Sequence, residues 1–240
     1  MNENPPPIRK DLEFIPVNQA GQQVILVRDH LGLVPEGKTI SLPLYHCMAL
    51  LESGASLRDL QLELMRQRGG VLVGSDEVKS LIAQLDESFL IDSERFKTAL
   101  DKIVADFASL KTRPCVHCGQ SYPNNSLELK KRLEEILSSV PPPVKQDQDI
   151  VALVAPHIDL EVGSRVYAAA YQRLSHVKPS RIILLGVGHR MTNALFSLTD
   201  KDFETPLGTV HCERSLVRIL REEGGANVAD HDFAHRSEHS

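Results

Sequence analysis

Two nearly uninterrupted apolar runs, 151–155 (VALVA) and 182–187 (IILLGV), frame a segment in which Val162, Val166, Ala169, Ala170 and Leu174 recur at helical spacing. Short all-apolar runs are expected of parallel strands covered on both faces, whereas one-sided antiparallel strands alternate. An amphipathic segment of this length between two such runs predicts the crossover helix of a βαβ unit. Parallel strands bring the residues just past their C-terminal ends to one rim of the sheet, where open α/β folds place their ligands. Here those residues are His157 and His189.

The front of the chain carries a different pattern. Residues 23–27 are β-prone, and Pro43 at a helix start leads 44–52, ended by Gly54. Ser56 and Asp59 have the spacing of a capping box with Asp in place of Glu, and Leu60, Leu62, Leu64 and Met65 carry a largely apolar face as far as Gly69 and Gly70. Ser75 is expected to cap a third helix, with Val78, Leu81, Ile82 and Leu85 inward, before a short strand at Phe89, Leu90 and Ile91. Three short helices closed by a β element predict a winged-helix-like domain over 20–93, behind a flexible Pro-rich tail at 1–19. A connecting helix capped by Ser93 occupies most of 94–112, with Phe96, Ala99, Leu100, Ile103, Val104, Phe107 and Leu110 on one stripe.

Further on, Ser126 opens a helix over 127–137, and Pro141, Pro142 and Pro143 with the polar 145–148 make a stiff link into the central unit. Beyond it the pattern predicts a strand at 194–198 and an extended 203–210 turned by Pro206 and Gly208. A helix over 213–222, stopped by Gly224 and Gly225, follows.

Composition narrows the function classes. With 240 residues and a formal charge of −5, the chain is long enough for one large or two small cores and lacks the basicity of a nucleic-acid binder. The third predicted helix sets Asp76, Glu77, Asp86 and Glu87 against Lys79, a face that repels phosphate, so a peptide or protein is the expected partner. The N-terminus MNENPPPIRK has no signal-peptide core and no apolar run reaches bilayer length, so a cytoplasmic protein without a membrane partner is expected. Four cysteines, Cys47, Cys115, Cys118 and Cys212, are too few for a disulfide scaffold and fit a reducing compartment. Cys115-Val116-His117-Cys118 has no second ligand pair to complete a zinc knuckle. It is expected to be a tight turn rather than a zinc site or a redox pair.

Imidazole suits iron, zinc and copper, so two histidines at equivalent strand ends are candidate metal ligands. One loop histidine alone is more often merely solvated or hydrogen-bonded. The tail adds Asp230, His231, Asp232, His235, Glu238 and His239.

Five short pieces occur in order: 113–123 (RPCVHCGQSYP), Ala155-Pro156-His157, Leu185-Gly186-Val187-Gly188-His189, Thr205-Pro206-Leu207-Gly208 and Glu238-His239-Ser240. Together they resemble the Memo family, the B component of the AmmeMemoRadiSam group, over 113–240. That family is similar in fold to class III extradiol dioxygenases, whose non-haem iron is held by two histidines and a residue late in the chain. The resemblance implies an α/β fold with a mainly parallel sheet flanked by helices. It implies that His157 and His189 bind a divalent metal, Fe(II) first, with Cu or Zn as alternatives. His239 then assists as acid or base beside Glu238. Asp159 and Glu238 match no ligand position of the family, but as carboxylates near the pocket either could supply an oxygen ligand or orient an imidazole.

The resemblance also implies that the family fold and its last metal ligand continue past Ser240, so the chain is expected to be an amino-terminal portion. Residues 20–95 resemble PqqD-like domains, which bind leader peptides beside radical SAM enzymes. Two functions follow: an iron-dependent, dioxygenase-like oxidoreductase working with a radical SAM system, or a non-catalytic peptide- or partner-binding scaffold with a vestigial metal pocket. The substrate stays open in both.

Overall fold

The computed structural model describes residues 4–143, 150–189, 194–229 and 231–239. The polar link at 145–148, Asp230 and Ser240 lie outside the described residues. The chain divides into two units, Met1–Asp106 and Phe107–Ser240. Mixed α/β character holds: the described residues contain seven α-helices and two three-stranded sheets.

The first unit opens with a hairpin. Strand β1 (Leu12–Gln19) pairs antiparallel with β2 (Gln22–Asp29), and β3 (Thr39–Ser41) adds to the other edge of β2. The turn residues Ala20 and Gly21 both take positive φ, +51° and +80°, as a two-residue hairpin whose twist matches its strands requires. Residues 12–19 are therefore strand rather than the flexible tail expected from the prolines, because β2 supplies a hydrogen-bonding neighbour along their whole length.

Helix α1 (Leu42–Glu52) begins where the Ser41 hydroxyl accepts the Leu44 N–H at 3.3 Å, with Pro43 in its first turn. Helix α2 (Leu57–Gln67) has the anticipated capping box: Ser56 Oγ accepts from Asp59 N–H, and the Asp59 carboxylate accepts from Ser56 N–H at 2.8 Å. Helix α3 (Ser75–Glu87) is capped by Gly74 with no side-chain bond, so Ser75 is its first residue and not its cap. The Phe89-Leu90-Ile91 strand reduces to a single bridge between Ile91 and Ile8. Ile25, Val27, Met48, Leu51, Leu60, Val78, Leu85 and Leu90 form the core of this unit. Inside it Arg9 is buried against Asp29, with Nη2–Oδ1 at 2.8 Å, a bond to the Phe89 carbonyl at 2.8 Å, and its guanidinium 4.2 Å from the Phe96 ring centroid.

Helix α4 (Glu94–Ser109) carries the boundary between the units; Ser93 Oγ accepts the Phe96 N–H at its start, as its spacing predicts. The second unit contains β4 (Thr112–Arg113), helix α5 (Ser126–Ser138), helix α6 (Ser164–Tyr171), the hairpin β5 (Asp202–Thr205) and β6 (Gly208–Val210), and helix α7 (Arg214–Gly224). Asn125 caps α5 by accepting from Leu127 and Glu128 N–H. Helices α5 and α6 pack together, burying Leu129, Ile136 and Ala168. Strand β4 is parallel to β5, while β5 and β6 are antiparallel.

A mainly parallel sheet is not what the described residues form, since three of their four strand pairings are antiparallel. Nor do 151–155 and 182–187 form strands. Val151 and Val154 are 98% and 91% exposed, and Ile182 and Leu184 are 77% and 76% exposed. An apolar run becomes a strand only where a neighbour takes its backbone N–H and C=O groups, and among the described residues no segment pairs with either run. The strand expected at 194–198 is likewise one bridge, Phe196 to Val228.

Candidate metal centre

Although the two runs lack a ladder, the histidines that end them meet. His157 Nε2 and His189 Nε2 are 3.2 Å apart, and their ring centroids are separated by 4.9 Å. His239 joins them, its ring stacked on His189 at 4.3 Å and tilted to His157 at 5.1 Å. One ligand nitrogen from each of the three lies within 4.8 Å of the others. Two metal–imidazole bonds of about 2.1 Å at a tetrahedral angle would put their nitrogens about 3.4 Å apart, close to the His157–His189 separation. All three residues are exposed.

Glu238 does not join the group as a ligand atom but holds it. Its Oε1 lies 2.7 Å from His189 Nδ1, and its Oε2 accepts the His189 backbone N–H at 2.8 Å. Its carboxylate also accepts the His239 N–H at 2.9 Å. Burial alone would raise the Glu238 pKa, but these N–H groups outweigh it and hold the carboxyl below its usual range. A carboxylate can only accept, so His189 Nδ1 carries the proton and Nε2 presents its lone pair toward His157. For His239, burial and then the neighbouring His189 imidazole lower the pKa, which favours the neutral ring.

The loop of His157 is built from α6. The Tyr167 hydroxyl lies 2.8 Å from the Pro156 carbonyl and 2.7 Å from that of Ile158, bracketing the histidine. Asp159 Oδ1 accepts the N–H groups of Glu161 and Val162 at 2.9 and 3.2 Å, a local turn cap rather than a member of the imidazole group. Gly163 follows because a Cβ there would sit 2.5 Å from Ile158 Cγ2 and 2.9 Å from Tyr167 Cε2.

Arg113 fixes the other side. Its guanidinium donates to the carbonyls of His235 and Glu238 and lies 5.2 Å from the Phe203 ring centroid. Burial lowers the Arg113 pKa against the opposing pull of Tyr122 and Glu238, and burial likewise lowers that of His235. His117 adds a fourth ring, edge-on to His239 at 5.8 Å, with Nε2 3.4 Å from the Ser237 carbonyl.

His117 rides on the Cys115–Cys118 turn, closed by Gly119 N–H to Tyr122 O at 2.8 Å with Gly119 at φ +79°. The turn is as anticipated, yet its cysteines are joined in a disulfide, with Cα atoms 5.6 Å apart. The tight turn itself brings the Cα atoms into bridging range.

Sequence reasoning therefore picked out His157, His189, Glu238 and His239, and the structure places all four together. It missed Tyr167, whose only signal was an aromatic inside the small-residue stretch of α6, and the approach of His117.

Residues 113–240 match the family described as Memo-like protein. A MEMO1 family protein of Aquifex aeolicus is 28% identical over 236 residues, covering 97% of this chain and 60% of that protein. A MEMO1 family protein of Methanosarcina barkeri is 29% identical over 122 residues, 51% of this chain and 43% of that protein. One from Methanothermobacter thermautotrophicus is 30% identical over 135 residues, 53% of this chain and 48% of that protein. The chain thus spans 60% of the length of the first relative and less than half of the two archaeal ones. No solved structure matches.

Proposed function

The chain belongs to the Memo-like protein family, and on that premise we propose that His157, His189 and His239 hold a divalent metal for a dioxygenase-like oxidoreductase reaction. The observation that carries the proposal is the convergence of three imidazole nitrogens within 4.8 Å, with the carboxylate of Glu238 on one of them. Three neutral imidazoles are a donor set that suits iron, copper and zinc, and they leave further coordination positions to small molecules. Bound Fe(II) would supply Lewis acidity and redox chemistry toward dioxygen.

The protein's own groups do the rest. Glu238 fixes the tautomer and ring plane of His189, Tyr167 sets the height of the His157 loop, and Arg113 ties down the backbone that carries Glu238. His239 is the third ligand, and its lowered pKa favours the neutral ring that this role needs. In this reading the first unit engages a radical SAM enzyme or a peptide, consistent with the acidic, nucleic-acid-repelling start of α3 at Asp76 and Glu77.

A second reading, a non-catalytic scaffold for a peptide or partner protein, is favoured by the exposed apolar runs at 151–154 and 182–185, which suit an interaction surface. Dioxygen uptake by metal-free protein reloaded with Fe(II), Cu(II) or Zn(II) separates the two. The oxidoreductase reading expects uptake with iron that is lost in His157→Ala and His189→Ala. Metal binding without uptake, whatever the metal, supports the scaffold.

A further inference from the structure

The Cys115–Cys118 pair stands outside every role given so far, and its setting is not that of a structural staple. A cross-link across two intervening residues closes so short a loop that it removes little freedom from the unfolded chain. Gly119 and Tyr122 already hold the turn by a backbone bond of 2.8 Å. Both cysteines are partly exposed, and Pro114, Val116, Gly119 and Gln120 around them are exposed, which leaves a path for an attacking thiolate. The turn also carries His117, one ring contact from His239.

Next to the sulfurs stands one hydroxyl. Tyr122 Oη is 3.4 Å from Cys115 Sγ and 4.0 Å from Cys118 Sγ. A disulfide sulfur has no proton, so in this state the phenol donates to Cys115. When the S–S bond breaks, the same bond stabilises a Cys115 thiolate and makes it the better leaving group, directing attack to Cys118.

We infer that Cys115 and Cys118 form a reversible dithiol–disulfide couple that exchanges with thiols beside the imidazole group. In the reductive direction an external thiolate bonds to Cys118 Sγ, the S–S bond breaks and Cys115 leaves as thiolate. A second external thiolate then attacks the external sulfur of the mixed disulfide and releases Cys118. Two external thiols are oxidised to one disulfide, the protein disulfide is reduced by two electrons, and the protons lost by the external thiols end on the two cysteines. Glutathione, reduced and oxidised, is the probe.

The test is a count of free thiols in the full chain after equilibration of the native protein across glutathione ratios, acid quenching and unfolding. Four cysteines are present, of which Cys47 and Cys212 are unpaired. The couple predicts a reversible passage from two free thiols to four. A double Cys47→Ser, Cys212→Ser variant keeps the two-thiol step, whereas Cys118→Ser abolishes it and leaves Cys115 carrying one glutathione in the oxidised buffer. Four free thiols at every ratio, or a disulfide that yields only once the protein is unfolded, would overturn the inference. The thiol count needs no metal, so it stands or falls separately from the function proposed above.

Discussion

Glu238 grips His189 at two points, its Oε2 taking the backbone N–H at 2.8 Å and its Oε1 the ring Nδ1–H at 2.7 Å. One carboxylate thus sets both where the residue sits and which nitrogen faces His157. Carboxylates in this relation to a ligating histidine typically account for about 10–100-fold in metal affinity. Glu238→Ala should therefore weaken Zn(II) binding by that order in a chelator competition while leaving the far-ultraviolet spectrum unchanged.

Tyr167 brackets His157 through the carbonyls on either side of it, at 2.8 and 2.7 Å. Tyr167→Phe removes the hydroxyl and keeps the ring, so it should cost about 1 kcal/mol of stability, the usual worth of such a bond. It should also weaken metal binding less than Glu238→Ala does, because the ligands remain. Denaturant unfolding and the same competition assay check the two effects.

Much of this could be read from the chain. The capping box of Ser56 and Asp59 and the 203–210 hairpin are local devices, and local devices are legible because the interacting groups are neighbours in sequence. The runs at 151–155 and 182–187 were misread because apolar content speaks of burial, and a strand needs a partner that the run itself does not name. Their histidines meet all the same, since the contact is fixed by Tyr167 from α6 and Glu238 from the tail, neither of which the strand reading used. The disulfide was missed for another reason: a tight turn at Cys115 and Cys118 is legible in the sequence, but that it brings the two Cα atoms to 5.6 Å is fixed only by the folded turn.

In the first unit Arg9 is 1% exposed and is held by Asp29, whose side chain is fully buried and also accepts the N–H groups of Leu31, Leu33 and Val34. Removing one partner strands the other charge in the core, at a cost of about 3–5 kcal/mol. Arg9→Ala should lower the stability of this unit by that amount in urea.

Asp202 gives the second unit a dependence on acid. The Cys212 N–H, His211 and Arg214 hold its carboxyl down at about 2, against roughly 3.9 in an unfolded chain. A depressed folded value means that the contribution is fully present above the unfolded pKa and is lost as pH falls through the folded one. Stability measured by thermal unfolding should thus decline between about pH 4 and pH 2, and Asp202→Asn should flatten that part of the profile.

The central claim is that three imidazoles form one cation site. At 3.2 Å, His157 Nε2 and His189 Nε2 are close enough for one ion to bind both. Calorimetric titration of the protein with Zn(II) tests this most directly. The account predicts one ion per chain, and its loss in a triple His157→Ala, His189→Ala, His239→Ala variant. Equal stoichiometry and affinity in the triple variant and the parent would contradict it.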